Sequence, residues 1–309
     1  MADKIATRAS YGKALTEIGA ENPNVVVMDA DLSGSTMTKK FAEKFPERFI
    51  NCGIAEENMV GMAAGLALSG KTVFCSSFAM FASGRAFEVI RNSVAHNNAN
   101  VKICASHAGL TVGADGASHQ CLEDLAIMRS IPGMTVVNPA DDVSARKLLK
   151  QAAEMEGPCY FRLGRAAVPV VYDEDVEVTI GKALEVKSGN DFTVIATGIM
   201  VEKAVEAAEI LAGKGIDVRI IDMHTIKPID EEAVIRAAKE TGGIVTAEEH
   251  NVIGGLGSAV AEVVACSSPC KMRLVGVKDS FGESGEPDEL LARYGLMAED
   301  IVKAVESLK

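Results

Sequence analysis

The chain contains 309 residues, 48% of them hydrophobic, and carries a formal net charge of −12. This length suffices for two domains of ordinary size, and the apolar content predicts compact folding. The negative charge argues against a nucleic-acid-binding surface, which depends on clustered Lys and Arg. Since the first residues lack an apolar signal core and the longest apolar stretch, residues 59–68, is too short to span a bilayer, we expect no membrane segment and a cytoplasmic protein.

Short apolar runs alternate with amphipathic stretches of helical length in the first half of the chain. The predicted strands there are residues 25–28, 73–75, 101–105, 135–137 and 159–161. After a polar, acidic segment near residue 176 the alternation restarts, with strands at 192–196, 218–222 and 244–247 and helices at 200–212 and 230–240. Such alternation is typical of mainly parallel sheets covered by helices on both faces. We therefore predict two doubly wound α/β domains, residues 1–176 and a smaller one at 177–309.

A turn rich in acids and hydroxyls, residues 29–36, follows the first of these strands and includes Asp31, Leu32 and Ser35. Ligands of open parallel sheets bind where the strands end, so such a turn could orient a bound ligand. Helix capping is the commoner role for these residue types and is the alternative explanation.

Glu56 lies where an extended segment turns into an unusually apolar helix. Burial disfavours the charged form of a carboxyl group, so Glu56 could hold or share a proton at neutral pH and act on a basic ring nitrogen. The alternative is that Glu56 and Glu57 are ordinary first-turn acids favoured by the helix dipole.

Aromatic and histidine side chains follow the next two strands. Phe78 and Phe81 are three residues apart, a spacing that puts both on one side of a helical turn, where they could contact a flat heterocycle or simply pack in the core. The glycine-rich segment 106–120 holds His107 and His119, which are candidates for proton transfer or for binding a substrate oxygen. Their spacing does not match a familiar zinc site.

Arg165 follows the last strand of the first domain, and its planar guanidinium group suits phosphate. In the second domain, the glycine-rich segment 254–258 lacks the acidic residue expected of a dinucleotide site, so we interpret it as the start of a helix. Residues 248–250, Glu-Glu-His, favour ordinary polarity at a strand end or a hydrogen-bonded contact between domains over a metal site.

Taken together, these segments resemble the C-terminal half of transketolase, a thiamine diphosphate enzyme. The resemblance covers nearly the whole chain, from residues 7–9 through 29–32, 53–56 and 78–81 to 115–120, and it includes residues 248–257 in the second domain. It implies a pyrimidine-binding domain followed by the C-terminal domain of this family.

The resemblance also implies roles for individual residues. Glu56 would face the N1′ atom of the cofactor's aminopyrimidine and activate the cofactor, with His119 contacting the cofactor amine and the substrate oxygen. The other cofactor-binding positions would be Asp31, Leu32, Phe78 and Phe81. The substrate-binding positions would be Arg8, Ser35, His107, Asp115, His119 and Arg165, with Asp115 reading a substrate hydroxyl.

The chain departs from the family pattern at two places. Large members have a tyrosine where this chain has Gly84, so Arg85 or Phe87 could complete the pyrimidine pocket. The family's Gly-Asp-Gly motif with its downstream Asn, which binds Mg²⁺ or Ca²⁺ and the diphosphate, does not occur here. The resemblance therefore implies an N-terminal-half partner subunit that holds the metal, assembled as α2β2.

Two alternatives stay open from the sequence. A beta subunit of a 2-oxoacid dehydrogenase or a 1-deoxyxylulose-5-phosphate synthase relative would share the fold, although Arg8, Ser35, His107 and Arg165 favour sugar phosphate substrates. A non-catalytic α/β binding subunit would tolerate loss of Glu56.

Overall fold

The computed structural model describes residues 4–309. Its first eight strands are β1 Lys4–Ala6, β2 Val25–Asp29, β3 Phe49–Asn51, β4 Thr72–Phe78, β5 Val101–Ser106, β6 Thr135–Val137, β7 Cys159–Arg162 and β8 Ala167–Pro169. The remaining strands are β9 Leu184–Lys187, β10 Phe192–Ala196, β11 Val218–Asp222, β12 Thr225–Lys227, β13 Ile244–Asn251 and β14 Met272–Val277.

The helices of the first half are α1 Thr7–Glu21, α2 Ser33–Thr36, α3 Lys39–Lys44, α4 Glu56–Leu68, α5 Phe87–Val89, α6 Asp124–Arg129 and α7 Asp142–Glu154. Those of the second half are α8 Met200–Ala212, α9 Glu231–Glu240, α10 Leu256–Ser267, α11 Pro287–Arg293 and α12 Ala298–Glu306. Among residues 4–309, no helix combines the length and apolar character needed to cross a membrane.

The larger sheet has the order β12-β6-β7-β5-β4-β2-β3, and only β12 is antiparallel to its neighbour. Every residue of β2, β4 and β5 is buried because helices cover both faces. The smaller mainly parallel sheet has the order β14-β13-β10-β11-β9, with β9 antiparallel, and β1 pairs with β8 in a separate two-stranded antiparallel sheet. These two mainly parallel sheets confirm the predicted α/β fold class.

Most predicted elements occur where the apolar runs placed them, and α8 has the predicted bounds. Several segments differ from the prediction, because tertiary contacts and not local patterns decide their structure. Strands β12 and β14 were not predicted, and β13 continues to Asn251. Phe78 is the last residue of β4 and not part of a helical turn. The division at residue 176 stays a prediction.

Candidate active site

Parallel strands of the larger sheet end at one edge, which we call the first carboxyl edge. Strand β4 ends at Phe78, β5 leads directly into His107, and β7 ends at Arg162. Helix α4 begins beside this edge at Glu56. Connections at this edge of an open parallel sheet are the usual location of a ligand site, because helix N-termini and loops converge there.

The Glu56 side chain is 1% exposed, so the expected poor solvation of this carboxylate is confirmed. Both of its oxygens have partners. Ser77 Oγ donates to Oε1 at 3.0 Å, and Arg85 Nη1 donates to Oε2 at 2.9 Å. The buried Glu56 side chain therefore contacts a hydroxyl group and a cation, and it lies at the N-terminus of α4.

Phe78 and Phe81 form an aromatic wall that Arg85 links to Glu56. Their ring centroids lie 6.2 Å apart with the ring planes inclined by 22°. The Phe78 ring stacks on His107 at 3.8 Å, and the Phe81 ring meets the edge of His119 at 5.3 Å. The structure thus brings both phenylalanines and both histidines of the sequence analysis into one group.

A π-helical turn, Met80–Arg85, connects β4 to α5 and determines where Arg85 lies. The Arg85 guanidinium carbon is 5.0 Å from the centroid of the Phe81 ring, within cation–π distance. π-helical turns are rare and are frequent at functional sites. Here the turn places one cation against both Glu56 and Phe81.

His107 has a left-handed backbone conformation, with φ of 58°, and its ring stacks on Phe78 of the aromatic wall. Ser106 Oγ contacts Nδ1 at 2.9 Å. Burial, followed by the positive charges of Arg8 and Arg165, lowers the pKa of His107 to about 3. His107 is therefore neutral at physiological pH and can bind a substrate oxygen through a hydrogen bond without carrying charge.

A cationic group flanks His107. Arg8 Nη1 donates to the backbone oxygen of Ser35 at 2.8 Å, and Arg165 Nη1 donates to the backbone oxygen of Val112 and lies 3.9 Å from Asp115 Oδ2. Burial and the nearby Arg165 charge lower the pKa of Arg8. Two mutually repelling guanidinium groups with a single weakly placed carboxylate favour binding of an anion.

The turn after β2 is organised by Asp29, whose importance the sequence analysis missed. Its carboxylate accepts hydrogen bonds from the Leu32 backbone N–H at 2.6 Å and from the hydroxyls of Thr36 and Thr38 at 2.7 and 2.9 Å. Asp31 is exposed and accepts a hydrogen bond from Asn51 Nδ2 at 2.9 Å. Asp31 and Leu32 therefore lie on a fixed turn beside the site. Asn51 and Asp29 hold this turn in place, without help from the aromatic wall.

Ser77 was also absent from the predicted site, although the pair of serines before Phe78 was a visible signal, whereas Arg85 was predicted only as one of two residues that could complete the pyrimidine pocket. The glycine-rich segment of the second domain has a simple explanation. Glu248 accepts hydrogen bonds from the Leu256 and Gly257 backbone N–H groups at 2.7 and 2.8 Å and so caps α10. An internal carboxylate thus occupies the position that a phosphate has in a dinucleotide turn.

Comparisons with known proteins identify the family of this chain. The family model of the transketolase pyrimidine-binding domain matches residues 3–171 of this chain. The family model of the transketolase C-terminal domain matches residues 181–301. A Methanocaldococcus jannaschii protein described as a transketolase C-terminal section is 53% identical over 301 residues, covering 96% of this chain and 94% of that protein. The 6-deoxy-6-sulfo-D-fructose transketolase subunit of Clostridium sp. is 45% identical over 301 residues, with 97% and 94% covered.

A solved structure described as a split gene transketolase, inactive beta4 tetramer, superposes with a TM-score of 0.93 at 55% identity and covers 98% of both chains. The fold and the two family models together define a pyrimidine-binding domain joined to a transketolase C-terminal domain. The chain belongs to the transketolase family and corresponds to its C-terminal section.

Proposed function

We propose that this chain is the C-terminal subunit of a split, thiamine diphosphate-dependent transketolase that transfers a two-carbon ketol unit between sugar phosphates. Membership of the family implies dependence on thiamine diphosphate. The observation that carries the proposal is the buried Glu56 carboxylate next to the aromatic wall and the neutral His107. An acid beside a flat apolar surface suits an aromatic ring that bears a basic nitrogen.

The residues of the first carboxyl edge fit the cofactor's pyrimidine ring. Phe78 and Phe81 offer ring faces, Glu56 offers a carboxylate to a ring nitrogen, and the turn with Asp31 and Leu32 lies alongside. When bound, thiamine diphosphate supplies the carbon nucleophile and stabilises the negative charge that develops as the ketose bond breaks. Glu56 would share a proton with the ring nitrogen, and Ser77 would hold the carboxylate in place.

Substrate binding would fall to the histidines and the cationic group. His107 and His119 would contact substrate or cofactor oxygen and nitrogen atoms, since neutral imidazole can both donate and accept hydrogen bonds. Arg8, Ser35 and Arg165 would bind the terminal oxyanion of the substrate, and Asp115 would form a hydrogen bond with a substrate hydroxyl. The sulfosugar named for the Clostridium relative carries a sulfonate, so phosphate and sulfonate are both chemically suitable oxyanions.

The proposed active site requires a second subunit. The chain lacks the family's Gly-Asp-Gly and downstream Asn motif, and within residues 4–309 no cluster of three or more His, Cys, Asp or Glu side chains could hold a metal ion. The similar split-gene structure is described as an inactive beta4 tetramer. We expect an N-terminal-half subunit to bind the diphosphate and Mg²⁺ or Ca²⁺, in an α2β2 assembly.

The test mixes this chain with an N-terminal-half subunit, thiamine diphosphate and Mg²⁺, then follows ketol transfer from xylulose 5-phosphate to ribose 5-phosphate. We expect transfer by the mixture. Decarboxylation of pyruvate with no reaction of either sugar would contradict the proposal. A matched reaction with the corresponding sulfonate sugar shows which oxyanion the Arg8 and Arg165 group prefers.

A further inference from the structure

The second domain reaches the site through the end of β13. Pairing of β13 with β14 is regular up to Ala247 and resumes only at Asn251, so the residues between them leave the ladder. Asn251 N–H donates to the backbone oxygen of Leu122 at 2.9 Å, which fixes this segment to the first domain. The interruption directs Glu249, a side chain the proposed reaction does not use, into the first domain.

Glu249 lies against the beginning of the substrate loop, which we define as residues 106–120. The Thr111 backbone N–H donates to Glu249 Oε1 at 2.6 Å. Gly109 has φ of +83°, and a Cβ atom there would lie 2.3 Å from the Glu249 carboxyl carbon. The loop therefore approaches this carboxylate more closely than any residue with a side chain would allow.

Charged neighbours hold Glu249 from its other side. Arg162 Nη2 donates to the Glu249 backbone oxygen at 3.0 Å, while Arg162 Nε donates to Asp124 Oδ2 at 2.8 Å. Burial raises the pKa of Glu249 to about 7, against the opposing effects of Arg162 and the Thr111 hydrogen bonds, and Asp124 adds to the rise. Both protonation states keep an acceptor oxygen for Thr111.

The anchored segment continues directly to the cationic group of Arg8 and Arg165, which is proposed to bind the oxyanion of the substrate. Thr111 belongs to the 3₁₀ turn Leu110–Asp115, in which the Val112 backbone oxygen accepts from Arg165 and Asp115 lies near the same guanidinium. A shift of Thr111 would consequently move two of the groups that surround Arg165. The contact runs from the second domain through one peptide N–H to the substrate-binding side of the site.

We propose that Glu249 is a positioning residue that fixes the substrate loop, and that through it the second domain sets the place of Arg165 and Asp115. This inference rests on the proposed function for its consequence on catalysis. The anchoring itself is a property of the chain alone.

Hydrogen exchange of the Thr111 amide in the isolated chain tests the anchor without any enzymatic assay. We expect Glu249→Ala to accelerate exchange at Thr111 by at least about tenfold, because its acceptor is removed. Glu249→Asp should do the same, since its carboxylate falls short by one methylene, whereas Glu249→Gln retains an acceptor and should stay protected. Unchanged exchange in both the Ala and Asp variants would overturn the proposal.

Kinetics of the assembled enzyme test the consequence. We expect Glu249→Ala and Glu249→Asp to raise the sugar phosphate KM by about tenfold with little change in thiamine diphosphate affinity, and Glu249→Gln to restore the KM. Glu248→Gln is the matched control, because that carboxylate is equally buried but contacts α10, so it should leave the KM unchanged. Equal losses of cofactor affinity in the Glu249 and Glu248 variants would indicate general damage and overturn the assignment.

The two kinds of outcome separate cleanly. Accelerated Thr111 exchange with no ketol transfer by the wild-type complex would leave the anchor standing and reject the proposed function. Normal ketol transfer with no effect of Glu249 variants on exchange or KM would support the proposed function and reject the anchor.

Discussion

The carboxyl edges of the two sheets are built alike but covered differently. At the first carboxyl edge, Arg85 is 49% exposed and pairs with the buried Glu56. At the corresponding edge of the smaller sheet, Thr197 Oγ1 donates to the Asn138 backbone oxygen at 3.2 Å and Glu249 contacts the substrate loop, so the first domain closes it. Position at a carboxyl edge therefore does not by itself define a ligand site, because the first carboxyl edge is the proposed ligand site whereas the other edge joins the domains.

Glu56→Ala is the strongest test of this contrast. We expect ketol transfer by the assembled enzyme to fall by at least about 100-fold, as is typical when a group that exchanges a proton with the reacting system is lost. Folding should be little affected, because the partner Arg85 is half exposed and can be solvated. Steady-state rates and thermal unfolding of the same samples measure both effects.

Glu57→Ala is the control at the next position of α4, where the side chain is exposed and its loss should leave both activity and stability unchanged.

At the carboxyl edge of the smaller sheet, which the first domain covers and which we call the closed edge, we expect a change to affect stability and not activity. Glu248→Ala should lower the free energy of unfolding by about 1–3 kcal/mol, because two N–H groups of α10 lose their acceptor. Loss of activity with full stability in Glu248→Ala, or the converse in Glu56→Ala, would contradict the contrast.

Arg85→Ala should have a smaller effect than Glu56→Ala, and it should strengthen cofactor binding. The Arg85 guanidinium lies at Glu56 Oε2 and over the Phe81 ring, the two surfaces proposed to receive the pyrimidine. Its removal should strengthen thiamine diphosphate binding by the complex several-fold, measured by calorimetry. Arg91→Ala changes an exposed arginine nearby and should leave affinity unaltered; weaker binding by Arg85→Ala would show that Arg85 assists the ring instead of competing with it.

The smallest expected effect is a pH dependence that belongs to the closed edge. Burial raises the pKa of Glu248 and of Glu249 to about 7 from 4.5. The folded chain thus retains protons that the unfolded chain releases above about pH 4.5, so their contribution to the free energy of unfolding falls as pH rises to about 7. Glu249→Gln should reduce this fall, as measured by denaturant titrations across that range.

A difference in unfolding free energy between wild type and Glu249→Gln that stays constant with pH would exclude Glu249 as a source of the dependence. A difference that changes in the opposite direction would mean that folding lowers the pKa of this carboxyl group.

Local sequence patterns account for much of this structure, and tertiary contacts account for what they missed. Continuous apolar runs such as β5 identify buried strands, and the meeting of Phe78 and His107 at one edge of the sheet follows from the parallel topology. The Glu56–Arg85 pair joins residues 29 positions apart, and the Thr111–Glu249 contact joins residues 138 apart. No local periodicity encodes such pairs, nor the π-helical turn that sets the Arg85 position.

Thiamine diphosphate titration tests the central claim most directly, namely that the first carboxyl edge is one half of a site completed by another subunit. Calorimetry would compare this chain alone, an N-terminal-half subunit alone, and their mixture, each with Mg²⁺. We predict tight binding by the mixture and weak binding by either chain alone. Binding by this chain alone as tight as by the mixture would contradict the account.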